Sequence, residues 1–268
     1  MVKSFGCYDG WYEVKGGLRK YIQNSIHGGR VYLNPKIALK ENHKSFQDYD
    51  GVSLYPSAMY RLCKEKGIPI GKINLITSKD FLGYDWYIVR IKITKINKIQ
   101  DIPLIGIKNS DGVIKYSNDI PTEILYVDKI TLEDLINFNQ IEYEFIDGIY
   151  WNEGYNKKLG ELILNLHTAR KKYKKDNPPK AEMIKLIMNS IYGKTIQRSF
   201  EIKTVIKDLD SYENYIFNNL GLLMGHHVYD KYCKIKLKSY DETYGLNYIG
   251  GMILSMSKRQ MNEVFDIA

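Results

Sequence analysis

Two short stretches of this sequence combine residue types that could handle a cation and a phosphorylated ligand. The first is Asp50-Gly-Val-Ser-Leu-Tyr-Pro-Ser57. An acidic residue ends an extended run (SFQDYD, 45–50), and a tight turn leads into a helix that opens near Pro56 and runs to Gly67. This fixes the carboxylate at a strand end, beside the backbone groups of a turn and a helix N-terminus, where a cation and a phosphate could meet. Asp48 alternates with Asp50 and shares its side of the strand. Taken alone, the stretch reads equally as a loop aspartate before an ordinary helix.

The second stretch is Lys185-Leu-Ile-Met-Asn-Ser-Ile-Tyr-Gly193. Lys185, Asn189 and Tyr192 are spaced i, i+4, i+7 and share one helix face. That face offers a cation for phosphate and an aromatic ring for a base or sugar. Leu186, Ile187, Met188 and Ile191 cover the remainder. Without other context, an amphipathic helix with an exposed lysine and a half-buried tyrosine explains it as well.

The surrounding pattern must hold these two stretches in place. Asn34-Pro35 marks a turn. Residues 84–96 alternate, with Tyr87, Val89, Ile91 and Ile93 on one face of a half-buried strand. Shorter strand-like pieces follow at 102–107, 112–116, 122–127 and 141–150. Thr131-Leu-Glu-Asp134 resembles a capping box that opens a short helix. Residues 157–175 carry Leu159, Leu162, Ile163 and Leu166 at helical spacing and end in basic residues, which suit a helix C-terminus. Asp176-Asn-Pro-Pro179 breaks that helix, and a second helix, 180–192, starts at once, so the two form an antiparallel hairpin. Residues 200–240 mix strand-like and loop-like pieces. The final helix places Ile249, Met252, Ile253, Met256, Val264, Phe265 and Ala268 on one face, with Lys258 and Arg259 off it.

Composition narrows the class. The 268 residues have a hydrophobic fraction of 44% and suit one large domain or two ordinary ones, not a disordered chain. No apolar run approaches the ~18 residues that span a bilayer, so no membrane partner is expected. Lys and Arg number 39 against 31 Asp and Glu, which favours a polyanionic partner. Tyr outnumbers Phe by 23 to 8, so many rings carry a hydroxyl. Cys7, Cys63 and Cys233 are far apart and odd in number, which suits a reducing intracellular compartment.

Together, the two stretches resemble motifs A and B of family B DNA polymerases, whose patterns are D-x-x-S-L-Y-P-S and K-x-x-x-N-S-x-Y-G. Every defining position is matched, in the right order. The detail is most similar to the protein-primed branch of viruses and mobile elements. His27-Gly28-Gly29-Arg30 looks like that branch's Y-x-G-G motif, with Ile26 in place of the tyrosine.

The resemblance implies an α+β fold: part of a polymerase palm (antiparallel sheet plus helices), a two-helix antiparallel fingers hairpin, and β-rich insertions. Residues 1–24 would end an upstream region and 25–63 would be palm with motif A. Residues 64–150 would be a first terminal-protein-region insertion, and 151–192 the fingers hairpin with motif B. Residues 193–247 would be a second, DNA-wrapping insertion returning to the palm, and 248–268 the palm helix that precedes motif C.

The resemblance also implies roles. Asp50 and the Gly51 carbonyl would hold metal. Ser53, Leu54 and Tyr55 would line the nucleotide, with Tyr55 excluding a 2′-hydroxyl. Lys185 would hold the triphosphate, helped by Arg170 or, less well placed, Lys171 or Lys174. Asn189 and Tyr192 would contact the nucleotide and nascent pair. Gly28, Gly29, Arg30, Gly193 and Lys194 would meet DNA. The cofactor would be two Mg²⁺ ions, with Mn²⁺ as the alternative. The partners would be primer–template DNA, dNTPs and a terminal protein primer.

One departure matters. The family's motif C, Y-x-D-T-D-S, is not in this sequence. Asp208-Leu-Asp210 lacks the following Ser and the preceding strand. The expectation is therefore a fragment lacking motif C, exonuclease domain and thumb, whose activity needs a following segment. The rival expectation is a non-catalytic nucleic-acid-binding remnant of a split gene. Weaker patterns fall away: Gly193-Lys-Thr195 lacks the earlier P-loop glycine, and His226-His227 with Cys233 lacks a second ligand pair at zinc spacing.

Overall fold

The computed structural model describes residues 1–32, 50–51, 53–108, 113–197, 200–240 and 246–267. In chain order the elements are α1 (Gly16–Ser25), α2 (Leu54–Glu65), β1 (Ile68–Pro69), β2 (Asn74–Leu75), β3 (Trp86–Ile96), β4 (Ile105–Lys108), β5 (Ile114–Ser117), β6 (Leu125–Asp128), α3 (Lys129–Asn139), β7 (Ile141–Trp151), β8 (Tyr155–Asn156), α4 (Lys158–Asp176), α5 (Pro178–Thr195), β9 (Phe200–Lys207), α6 (Tyr212–Asn218), β10 (Leu223–Val228), β11 (Cys233–Tyr240) and α7 (Asn247–Ile267). They form two compact units: Met1–Ile196 with Leu246–Ala268, and Gln197–Gly245.

In the larger unit, β2, β7, β3 and β6 make an antiparallel sheet in that order. Strand alternation splits β3 between two cores. Trp86 and Ile88 join the helical core. Tyr87, Val89, Ile91 and Ile93 join a second core with Leu125, Val127, Leu132 and Leu135. The helical core gathers Ala58, Met59 and Leu62 of α2, Leu159 and Ile163 of α4, Met188 of α5, and Ile249, Met252 and Ile253 of α7. Each fully buried Leu, Ile or Met here stabilises by about 1.5–3 kcal/mol. Gly160 lets α4 lie close on α2, because a Cβ there would stand 2.5 Å from Cys63 Cβ.

Helices α4 and α5 are joined by a single residue, Asn177, whose side chain accepts from the Lys180 N–H and so caps α5. Pro178 and Pro179 fill the first positions, where a missing N–H costs nothing. The smaller unit is an antiparallel sheet ordered β10-β11-β9. Cys233, Ile235 and Leu237 are its buried face, against Val205, Tyr212, Tyr215 and Ile216, while Lys236 between them is exposed.

The structure corrects several expectations. Residues 16–25, for which the sequence predicts no element, form α1 and bury Ile22. Helix α3 starts before Thr131: Asp128 is the N-cap and accepts from the Thr131 N–H at 2.8 Å. The apolar face of α7 is buried only to Met256; Val264 and Phe265 are 56% and 40% exposed. Arg259, off that face as expected, bridges to α3. The strand expected at 45–50, the turn at Asn34-Pro35 and Asp48 lie outside the described residues, apart from Asp50. Among the described residues no helix is long and apolar enough to cross a membrane.

Candidate active site

Asp50 and Gly51 are exposed at the approach to α2. Ser53 then turns the chain into the helix with φ 52 and ψ 47, a left-handed conformation that costs a non-glycine residue about 1 kcal/mol or more. Its carbonyl accepts the Ser57 N–H at 2.9 Å. Its hydroxyl makes no helix cap. Instead it accepts from Arg170 Nη1 of α4 at 3.2 Å. Lys171 and Lys174 are exposed on the same helix, whereas Arg170 is half-buried.

Leu54 and Tyr55 follow, both half-buried. The Tyr55 ring stacks on Tyr192 of α5, centroids 4.2 Å apart and planes within 10°. Burial, then the neighbouring Tyr55 phenol, pushes the Tyr192 hydroxyl well above the ordinary tyrosine range, so it remains a neutral donor. The shared face of α5 is thus used unevenly. Tyr192 packs on Tyr55, Asn189 is exposed, and Lys185 pairs with Glu182 of its own helix at 3.0 Å. Both partners of that pair are about half exposed, so it contributes little and exchanges readily for a stronger anion.

The family is decided by the whole chain. The family described as DNA polymerase type B, organellar and viral, has a model that matches residues 7–262. The chain belongs to this family. It is 27% identical over 263 residues to a DNA polymerase of Kluyveromyces lactis, covering 91% of this chain and 24% of that one. Its fold is similar to part of Phi29 DNA polymerase. A ternary complex of that enzyme with primer-template DNA and incoming nucleotide substrates aligns with a TM-score of 0.66 at 18% identity, covering 99% of this chain and 44% of that one. Its binary complex with primer-template DNA gives 0.65 at 17% identity, with 99% and 43% coverage. This type B polymerase chain therefore spans about a quarter of the yeast relative and less than half of the phage one.

In this type B chain, the Asp50–Ser57 stretch and the α4–α5 hairpin meet at Ser53–Arg170 and Tyr55–Tyr192. The other sites marked in the sequence stand elsewhere. Gly28 and Gly29 are exposed, and Arg30 donates to the Pro103 carbonyl at 3.0 Å and to Asn262. Gly193 and Lys194 are exposed at the end of α5, and a Cβ on Gly193 would meet no protein atom within 4 Å. Asp208 and Asp210 lie in the turn before α6, where Asp208 accepts from Ser211. Among the described residues no three His, Cys, Asp or Glu side chains group as a metal site.

Two supports of the site are not legible in the motifs. Motif A's last residue, Ser57, accepts from Gln260 of α7 at 3.0 Å. One turn on, Arg61 grips Glu263 of α7 through both terminal nitrogens at 2.5 and 2.6 Å. The second support is a polar cluster under α7. Arg259 donates to Asp134 at 2.6 Å and to Glu133 at 2.9 Å, and Asn262 donates to Asp134 at 2.7 Å. Burial pushes the Asp134 carboxyl up to about 6, with Arg259 and Asn262 opposing it. The sequence signal was a Lys-Arg pair directly after an apolar helix face, which invites a buried partner as well as a solvated one.

Proposed function

We propose that this chain is the palm-and-fingers part of a template-directed DNA polymerase that adds dNTPs to a primer hydroxyl. The observation that carries the reading is the double contact between motif A and the fingers hairpin, Ser53 with Arg170 and Tyr55 with Tyr192. A cation and two aromatic rings from separate elements converge on the Ser53–Tyr55 turn that follows Asp50 in the chain, and a nucleotide needs charge for its triphosphate and a flat surface for its sugar and base.

In the reaction the primer 3′-oxygen attacks the α-phosphorus, its proton leaves to solvent, and the bond to the β-phosphate oxygen breaks to release pyrophosphate. Asp50 and the Gly51 carbonyl are oxygen donors of the type that hard divalent ions take, and Asp50 is exposed enough to bind one. Such ions, held by Asp50 and the Gly51 carbonyl, would supply Lewis-acid polarisation of the reacting oxygens. Mg²⁺ is the proposed ion, with Mn²⁺ as the alternative. Arg170 and Lys185 exchange their present partners for the triphosphate, which places charge where it develops in the transition state. Tyr55 lies under the sugar and leaves no room for a 2′-hydroxyl, while Asn189 and Tyr192 face the nascent pair. Gly28, Gly29, Arg30, Gly193 and Lys194 are assigned to DNA.

The finer reading is protein-primed replication of a viral or mobile element, with a terminal protein supplying the first hydroxyl, in a reducing compartment. The free, buried state of Cys7, Cys63 and Cys233 supports the last point. Primer extension with Mg²⁺ tests the proposal, using this chain joined to the segment that supplies Y-x-D-T-D-S. Extension that disappears in Asp50→Ala is expected. Extension that persists at the wild-type rate would remove Asp50 from the metal site.

A further inference from the structure

The loop His27–Arg30 is held by hydrogen bonds from two distant places. Lys258 of α7 donates to the His27 carbonyl at 3.3 Å. The Tyr116 hydroxyl of β5 donates to the Gly28 carbonyl at 3.0 Å. The Arg30 guanidinium donates to Pro103 O and to Asn262 of α7, and the Tyr116 ring lies 5.9 Å beneath it. The carbonyl side of the loop is therefore occupied. Gly28 and Gly29 are exposed, with nothing within 4 Å of where a Cβ would stand. Among the described residues no hydrogen bond takes up their N–H groups.

Two adjacent glycines are the most expensive residues to order. Yet with the His27 and Gly28 carbonyls tied back, the glycine pair presents bare amides, which suit an anion such as a phosphodiester. Holding that shape in the free protein lowers the cost of ordering when DNA arrives.

We propose that Tyr116 and Asn262 are positioning residues for primer–template DNA. They hold the Gly28–Gly29 loop in the shape that receives the DNA backbone, so the 64–150 segment sets the grip of the neighbouring loop. This rests on the reading of Gly28 and Gly29 as DNA contacts. Neither residue need touch DNA.

The test uses Tyr116→Phe, which keeps the ring under Arg30 and removes only the hydroxyl, and Asn262→Ala. The full chain is titrated with fluorescent primer–template, and amide exchange is followed in the free protein. Loss of one such hydrogen bond predicts a Kd about three- to tenfold higher. It also predicts faster exchange at Gly28 and Gly29 before DNA is added, with the melting temperature of Tyr116→Phe unchanged. A direct contact would raise Kd without altering exchange in the free protein, and that result overturns the proposal. Gly29→Ala separates the two readings. A normal Kd in Gly29→Ala removes the loop from the DNA interface, and both readings fail. A raised Kd in Gly29→Ala, with wild-type affinity in Tyr116→Phe and Asn262→Ala, leaves the loop as a DNA contact and overturns the positioning role alone.

Discussion

The rings of Tyr55 and Tyr192 lie 4.2 Å apart and within 10° of parallel. One comes from the turn that opens α2, the other from the last turns of α5. Stacked rings of this kind contribute about 0.5–1.5 kcal/mol beyond the area they bury. The contact therefore ties the last turn of α5 to the first turn of α2.

Tyr55→Ala is expected to leave the fold intact and to relax sugar selection. On the proposed reading, removing the ring leaves nothing under the sugar to resist a 2′-hydroxyl, and ribonucleotide use should rise about tenfold or more, equivalent to at least ~1.4 kcal/mol of lost discrimination. Tyr55→Phe should keep both the stack and the selection. Competition between dNTP and rNTP in single-nucleotide addition measures this, and an unchanged ratio in Tyr55→Ala would dismiss the gate.

Ser53 stands in a left-handed conformation with its hydroxyl on Arg170. Replacement by glycine removes the backbone strain and the hydroxyl together. Ser53→Gly should gain up to ~1 kcal/mol, a rise of about 2–4 °C in melting temperature. It should also raise the KM for dNTP, because Arg170 loses its perch. Ser53→Ala should raise KM in the same way with no gain in stability. Equal melting temperatures for the glycine and alanine variants would show that the strain is not there.

These two positions show what a sequence makes legible. The turn into α2 and the break at Asp176–Pro179 follow from proline, whose fixed φ acts locally. Strand β3 follows from alternation, and both its faces find a core. The misreadings have a common cause. Lys258 and Arg259 stand off the apolar face of α7, as periodicity predicts, but periodicity names no partner for them. Arg259 meets Asp134 and Glu133 on α3, and Lys258 meets the His27 carbonyl, partners that only the tertiary fold brings near. Val264 and Phe265 continue the apolar period past the point where there is a core to face. Asp128 takes the cap from Thr131 because its carboxylate reaches the Thr131 N–H. Within the site, motif spacing shows which residues share a face. It does not show that Tyr192 would be stacked while Asn189 on the same stripe stays exposed.

Half-buried His27 and buried Asp134, both near α7, titrate in opposite senses. Burial, then the Lys258 ammonium, holds the His27 imidazole down at about 4, against an ordinary 6.5. A depressed histidine favours the neutral form, so its stabilisation is present above 6.5 and is lost as pH falls through 4. Asp134 is raised by burial to about 6 from 3.8, so its contribution is full below 3.8 and is lost as pH rises through 6. The two slopes oppose each other over the same window. His27→Gln leaves the Asp134 slope alone. Relative to His27→Gln, the wild type should lose about 2 kcal/mol on acidification from 6.5 to 4. Urea unfolding of both proteins across that window measures the difference, and parallel curves would show that His27 titrates normally.

Two glycines on the α4–α5 hairpin should respond oppositely to alanine. At Gly160 the new Cβ would meet Cys63 Cβ at 2.5 Å, so α4 must move off α2. Overpacking of this kind costs about 1–3 kcal/mol, more than the ~1 kcal/mol that alanine returns in helix propensity. Gly160→Ala should therefore lower the melting temperature. At Gly193 the new Cβ meets no protein atom within 4 Å, so Gly193→Ala should keep or slightly raise stability. The protein itself gives no packing reason for glycine there. On the proposed reading the reason is DNA, which approaches the backbone where the methyl would stand. Gly193→Ala should then weaken primer–template binding by about tenfold, or ~1.4 kcal/mol, while the melting temperature holds. Wild-type DNA affinity in that variant would mean that DNA does not occupy the space beside Gly193.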